Sequence, residues 1–182
     1  MLLRNEGVHD HQTVRAIHRR AFGGEHGESV ADLVDALRRD DPTVASFVAE
    51  DADRVVGHVM FSRCLLDAPR QLVEVASLSP LAVAPEWQHR GVGSALVRHG
   101  LQALDDRGVP LVFLEGDPRY YSRLGFAPAG ERGFRKPSLR VPDEAFQVVT
   151  LTAYEPWMTG TFVYSDAFWR HDCVGLRDEN AR

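Results

Sequence analysis

The chain predicts a mixed α/β fold, an α+β sheet covered by helices in one domain. Two early stretches carry apolar residues at helical spacing, three alternating stretches follow, and strand and helix patterns then take turns around a glycine-rich turn. No repeat and no low-complexity linker divides the chain.

The bulk properties set limits on function. The 182 residues suffice for one well-buried domain. Apolar residues at 44% and charged residues at 26% give an ordinary globular balance. A net charge of -5 argues against a surface built for the phosphate backbone, so nucleic acid is not an expected partner. Cys64 and Cys173 form no CxxC pair, so neither a disulfide framework nor a metal site is suggested, and a cytoplasmic setting is expected. No apolar run reaches membrane-spanning length, and Met1 to Glu6 turns polar too soon for a signal peptide.

Taken in order, Leu2 and Leu3 open a short edge strand before a turn at Asn5-Glu6-Gly7. Asp10 is the expected N-cap of a helix to Phe22, with Val14, Ile17, His18 and Ala21 on one face and Gly23-Gly24 as its stop. Ser29 is expected to cap a second helix, Val30 to Arg39, which Asp41-Pro42 ends. Ala45 to Glu50 and Val55 to Leu66 read as a hairpin, and Leu72 to Val83 as a third strand. Pro80 predicts a bulge or lost pairing within it.

The next helix runs to Arg107-Gly108, and Pro110 to Leu114 is apolar throughout, as in a strand buried on both faces. Asp117 as N-cap and Pro118 at the first position start a helix to Leu124, stopped by Gly125. Phe126-Ala127-Pro128 begins an edge strand, Arg132 to Lys136 reads as a loop, and Ala145 to Leu151 as the final strand. Trp157, Phe162, Tyr164, Phe168 and Trp169 mark a packed tail. The expected division is a core of residues 1–142 and a C-terminal strand and aromatic extension, 143–182, packed on the same domain.

The stretch from Leu81 to Ser94 carries the chemistry. A strand ends at Pro85, two glycines follow at Gly91 and Gly93, and a helix begins at once. That arrangement aims several backbone N–H groups, with the positive end of a helix dipole, at one spot. Gln88, His89, Arg90, Gly91, Val92, Gly93 and Ser94 therefore form a candidate pyrophosphate cradle, whose glycines let backbone approach closely. A plain tight turn is the bland alternative, and Arg90 either adds charge or meets only water. Rossmann and P-loop sites do not fit, because the glycines come late, after an antiparallel strand, with no Gly-Lys-Ser/Thr.

Leu81, Val83, Pro85, Gln88, Gly91 and Gly93 resemble the Leu-x-Val-x-Pro strand end and Gln/Arg-x-x-Gly-x-Gly/Ala motif of the GCN5-related N-acetyltransferase (GNAT) superfamily. Tyr121-Ser122-Arg123-Leu124-Gly125-Phe126 resembles its later Tyr-x-x-x-Gly-Phe signature, and Glu115-Gly116-Asp117-Pro118 before Tyr120-Tyr121 is similar to the YhbS-like branch. The likeness spans roughly residues 2–142 and implies the acyl-CoA N-acyltransferase fold. That fold has antiparallel N-terminal strands, then β-α-β-α-β with a splayed central strand pair. It also implies an N-acetyltransferase that moves an acetyl group from acetyl-CoA, its cosubstrate, to a primary amine by direct attack.

On that resemblance the main chain of Leu81, Ala82 and Val83 would hold the acetyl carbonyl and pantetheine arm, polarising the thioester oxygen. Tyr121 would be the general acid for the departing thiolate, with adjacent Tyr120 turned toward the core. Glu74 or Glu115 would be the base, acting through water, although either could be an ordinary surface carboxylate. Phe22, Glu28, Tyr164 and Phe168 are the candidates for the acceptor end. His58 reads as a hydrogen-bonded sheet histidine or an acceptor-site residue, and Cys64 as a small buried hydrophobe. The acceptor, a small molecule or a protein amine, is not specified by the residues, and a homodimer is left open. The rival is a CoA-binding sensor or interaction module without transferase activity.

Overall fold

The computed structural model describes residues 1–41 and 44–176. Its elements are strand β1 (Leu2–Asn5), helices α1 (His11–Phe22) and α2 (Gly24–Asp40), and strands β2 (Ala45–Asp51), β3 (Arg54–Asp67) and β4 (Leu72–Val83). Helix α3 (Val92–Asp106), strand β5 (Leu111–Glu115), helix α4 (Pro118–Tyr121) and strands β6 (Ala127–Pro128) and β7 (Phe134–Arg135) follow. Strands β8 (Phe146–Thr150) and β9 (Gly160–Val163) and helix α5 (Asp166–Arg170) complete the set.

One sheet runs in the order β1-β2-β3-β4-β5-β8-β6, with β9 joined to β3 and β7 to β9. The β2–β3 hairpin turns on Ala52 and Asp53 at φ 46° and 61°, two left-handed residues that match the strands' twist. Core apolar side chains lie in two clusters, one on each face. On one face Val14 of α1, Leu33 of α2 and Phe168 of α5 cluster with Met60, Phe113 and Phe162 of the strands. On the other, Leu96 of α3 packs with Val59, Phe61, Leu78, Val112 and Leu114 of the strands. The alternation Met60 to one face, Val59 and Phe61 to the other, is the period of two that the strand pattern predicts.

The sheet opens where the site lies. Leu81 pairs with Val59 and Leu78 with Phe61, so Ser79 and Pro80 stand opposite Met60 alone, the bulge expected near Pro80. Parallel β4 and β5 pair only at Ala76–Val112 and Ser77–Phe113. Beyond that point β4 continues through Leu78 to Val83 and β5 through Leu114 and Glu115, with no ladder between them. This is the splayed pair implied by the resemblance.

Several boundaries move. Asp10 stands at the N-cap of α1 as expected, but its side chain makes no capping bond, because the carboxylate accepts from Arg4 at 2.7 Å and from Gly7 N–H at 2.7 Å. Helix α2 starts at Gly24, well before Ser29, since Gly23 at φ 71° turns the chain and α2 follows directly. Its expected stop includes Pro42, outside the described residues. Phe134–Arg135 is not loop but a strand beside β9, and Phe146–Thr150 is not the last strand but lies between β5 and β6. Among the described residues, those after 142 thus contribute two strands to the sheet. Among the described residues no helix is long and apolar enough to cross a membrane.

Candidate active site

A cleft of about 710 Å³ lies in front of the α3 N-terminus. Its walls are Leu81 and Val83 from β4, Trp87 to His89 and Gly91 to Ser94 from the turn, Arg98 from α3, and Tyr120, Arg123 and Leu124 from the other side. The turn is built for close approach. Gly91 caps α3 at φ 81°, and a Cβ there would meet nothing within 4 Å. The helical ladder begins with Ala95 N–H donating to Gly91 O at 3.0 Å, which leaves the N–H groups of Val92, Gly93 and Ser94 outside it. Three free donors at a helix N-terminus favour a bound anion.

The main chain of β4 supplies the second part. Ala84 N–H donates to Val56 O of β3 at 2.9 Å, so by the alternation of an antiparallel ladder Ala82 also turns its groups toward β3. Leu81 and Val83 turn theirs the other way, into the split. Gln88 Nε2 reaches Val83 O at 3.1 Å and ties the turn to the strand end. Ala82, expected beside Leu81 and Val83 at the cofactor, pairs with His58 of β3 and buries its side chain.

The two tyrosines divide the space. Tyr120, expected to face the core, instead lines the cleft. Its hydroxyl lies 3.4 Å from Ser94 Oγ and 2.6 Å from where a Cβ on Gly93 would be. Tyr121 lies against Gly116, at the end of the β5 arm, and packs on Phe126. Desolvation, then the neighbouring Tyr120, pushes the Tyr121 phenol above its ordinary value, so it remains protonated at neutral pH. Asp117 caps α4 by accepting from Arg119 N–H at 2.9 Å.

Other candidates separate. Arg90 does not line the cleft; its guanidinium sits 5.1 Å above the Trp87 ring. The cleft's cations are Arg98 and Arg123, which sequence reasoning missed. Arg98 was findable, four residues after Ser94 on the same helix face. Glu74 is exposed, pairs with Arg63, and lies seven residues before Leu81, roughly 20 Å along β4, too far to serve the split. Glu115 is at the split on the α1/α2 face, with Oε2 accepting from Gly175 N–H at 2.9 Å. Burial raises its carboxyl, against the pull of Tyr164, Gly175 N–H and Arg140.

The four acceptor candidates do not converge. Tyr164 and Phe168 are core residues, stacked at 4.4 Å, because β9 pairs with β3 and α5 tucks under α2. Glu28 pairs with Arg15 and Arg19 on the helical surface. Phe22 alone keeps an exposed ring, stacked on His18. His58 is the hydrogen-bonded sheet histidine, and Cys64 is buried with its thiol pushed up to about 12 by desolvation.

A sequence profile described as "Acetyltransferase (GNAT) domain" matches residues 4–129. The chain belongs to the GNAT acetyltransferase family. It is 35% identical over 157 residues to the uncharacterized N-acetyltransferase YjhQ of Escherichia coli, covering 83% of this chain and 84% of that one. The GNAT-family YhbS of Escherichia coli, crystallised with CoA, superposes with TM-score 0.82 at 32% identity, covering 93% of this chain and 92% of YhbS. A GNAT acetyltransferase from Brucella melitensis, in complex with acetyl-CoA, gives TM-score 0.73 at 29% identity over 92% of this chain and 97% of its own. Family membership carries the expected class, an acetyl-CoA-dependent N-acetyltransferase, and the likeness to YhbS agrees with the expected YhbS-like branch.

Proposed function

We propose that this acetyltransferase moves an acetyl group from acetyl-CoA directly to a primary amine, with the split between β4 and β5 as the reaction site. The supporting observation is that Leu81 and Val83 turn their main-chain groups into the split while the N–H groups of Val92, Gly93 and Ser94 face the adjoining cleft. The cradle from Gln88 to Ser94, with Arg98 and Arg123, would take the pyrophosphate. Main-chain donors on β4 would polarise the thioester oxygen as negative charge develops. Acetyl-CoA supplies the activated acetyl group.

Tyr121 is the general acid in this reading. A protonated phenol at the end of the β5 arm suits delivery of a proton to the departing sulfur, and Tyr120 serves the cradle. For the amine's proton, Glu115 is the carboxylate at the split, although Gly175 already occupies one of its oxygens. Tail aromatics in the core leave the rim near Phe22 as the approach for the acceptor. A panel of small amines and peptide N-termini, with free-thiol release as the readout, tests the function. Acetyl-CoA binding without amine-dependent release would favour the rival binding module.

A further inference from the structure

Behind the split, on the face covered by α1 and α2, four side chains form one line of hydrogen bonds. Ser46 Oγ donates to Glu6 Oε2 at 2.6 Å. The hydroxyl has one proton, so in its other contact, 2.8 Å to His58 Nε2, the histidine must donate. His58 therefore offers the lone pair of Nδ1, which lies 2.8 Å from His18 Nε2. His18 donates from Nε2, and its own Nδ1 is left with a lone pair.

Nδ1 of His18 has no hydrogen-bond partner among the described residues, although the side chain is 0% exposed. Buried polar atoms are almost always paired, so an orphan at the end of an ordered line points to a group that arrives with substrate. Position agrees. His58 pairs with Ala82, directly behind the segment that turns Leu81 and Val83 into the split. Helix α1 packs across β3 and β4, and partly exposed Phe22 stacks on His18 at 6.0 Å.

We propose that His18 is the proton acceptor of the transfer and that Glu6, Ser46 and His58 are positioning residues that hold its tautomer. This rests on the acetyl-transfer reading above and takes the acceptor role from Glu115, which then anchors the C-terminal segment through Gly175. In the step, an amine N–H bond breaks and an Nδ1–H bond forms on His18. The electron pair stays on nitrogen, which bonds the thioester carbon. The C–S bond breaks, sulfur leaves with its pair, and Tyr121 gives it a proton. Solvent later takes the proton from His18 and returns one to Tyr121.

Electrostatics around the line fit the role. The charged and titratable groups facing it are Glu6 from the β1–α1 connection, Arg38 from α2, His58 from β3 and, toward His58, His11 from α1. Burial, with His58 and Arg38, outweighs the pull of Glu6 and holds His18 well below its ordinary value, so the ring is neutral at neutral pH and accepts a proton only as a weaker base than a free imidazole. Arg38 Nε donates to Glu6 Oε2 at 3.1 Å and keeps the far end anionic, which favours positive charge arriving on the two rings.

Two measurements test this. Histidine ¹⁵N NMR of the full chain should show both His18 and His58 protonated on Nε2 at neutral pH; Nδ1–H on His18 would overturn the proposal. In the amine assay, His18→Gln should lower kcat by roughly 10²-fold at pH 7, with acetyl-CoA affinity unchanged and part of the loss recovered above pH 9, where the amine arrives deprotonated. Ser46→Ala, which removes one hydroxyl, should give a smaller loss of the same pH shape and keeps the test open if His18→Gln does not fold. Either folded variant with a wild-type kcat–pH profile would sink the relay alone. No turnover in the wild type with any amine would sink the relay and the acetyl-transfer reading together.

Discussion

Tyr120 covers Gly93: its hydroxyl stands 2.6 Å from the position a Cβ on that glycine would occupy. The phenol thus closes over the first turn of α3, and the absence of a side chain at position 93 lets it do so. Gly93→Ala would press on that hydroxyl and narrow the cleft. The expected result is about tenfold weaker acetyl-CoA binding by calorimetry, near 1.4 kcal/mol, with the melting temperature little changed.

Tyr121 and Tyr120 should separate kinetically. Tyr121→Phe is expected to lower kcat at least tenfold with little change in acetyl-CoA affinity, the mark of a group that acts in the chemical step. Tyr120→Phe should act mainly on acetyl-CoA affinity. Because burial raises the Tyr121 phenol, the wild-type kcat profile should show no alkaline loss from it below about pH 10, its unperturbed value.

Gly100 lets α3 settle on the sheet. A Cβ there would overlap the Phe61 ring, 2.5 Å from Cζ. Phe61 is 1% exposed and cannot turn away. Gly100→Ala should cost about 1–3 kcal/mol in denaturant unfolding by overpacking, despite the better helix propensity of alanine.

Glu6 should make stability depend on pH. Burial alone would raise its carboxyl, but His58, Arg38 and Ser46 outweigh that and hold it well below the usual carboxylate range. A depressed folded value means that the stabilisation is complete above the unfolded value, about 4.3, and is lost as pH falls below it. Glu6→Gln should therefore destabilise by about 3 kcal/mol at pH 7, a gap that shrinks below pH 4. His18 and His58, both lowered in the folded state, add a loss of wild-type stability as pH falls through about 6.5.

Much of the fold was legible because its signals are local. The span Leu72–Val83, the bulge at Pro80 and the Asp117–Pro118 helix start follow from proline and side-chain rules that act within a few residues. The early start of α2 was not, since Gly23-Gly24 signals only the stop of the first helix and Ser29 offers a cap five residues later than the true start. Strands β7 and β9 are too short to show a period, and their pairing comes from contacts distant in sequence. Tyr164 and Phe168 looked available for substrate because a packed aromatic and a pocket aromatic read alike. The line from Glu6 to His18 joins residues 40 and 12 positions apart, and no spacing rule announces it.

The most direct test is amine-dependent release of free thiol from acetyl-CoA across the amine panel, measured beside calorimetric binding for the wild type and Tyr121→Phe. Acetyl transfer in the split predicts binding by both, amine-dependent release by the wild type, and a loss of at least tenfold in the variant. Tight binding by the wild type with no release for any amine would contradict it.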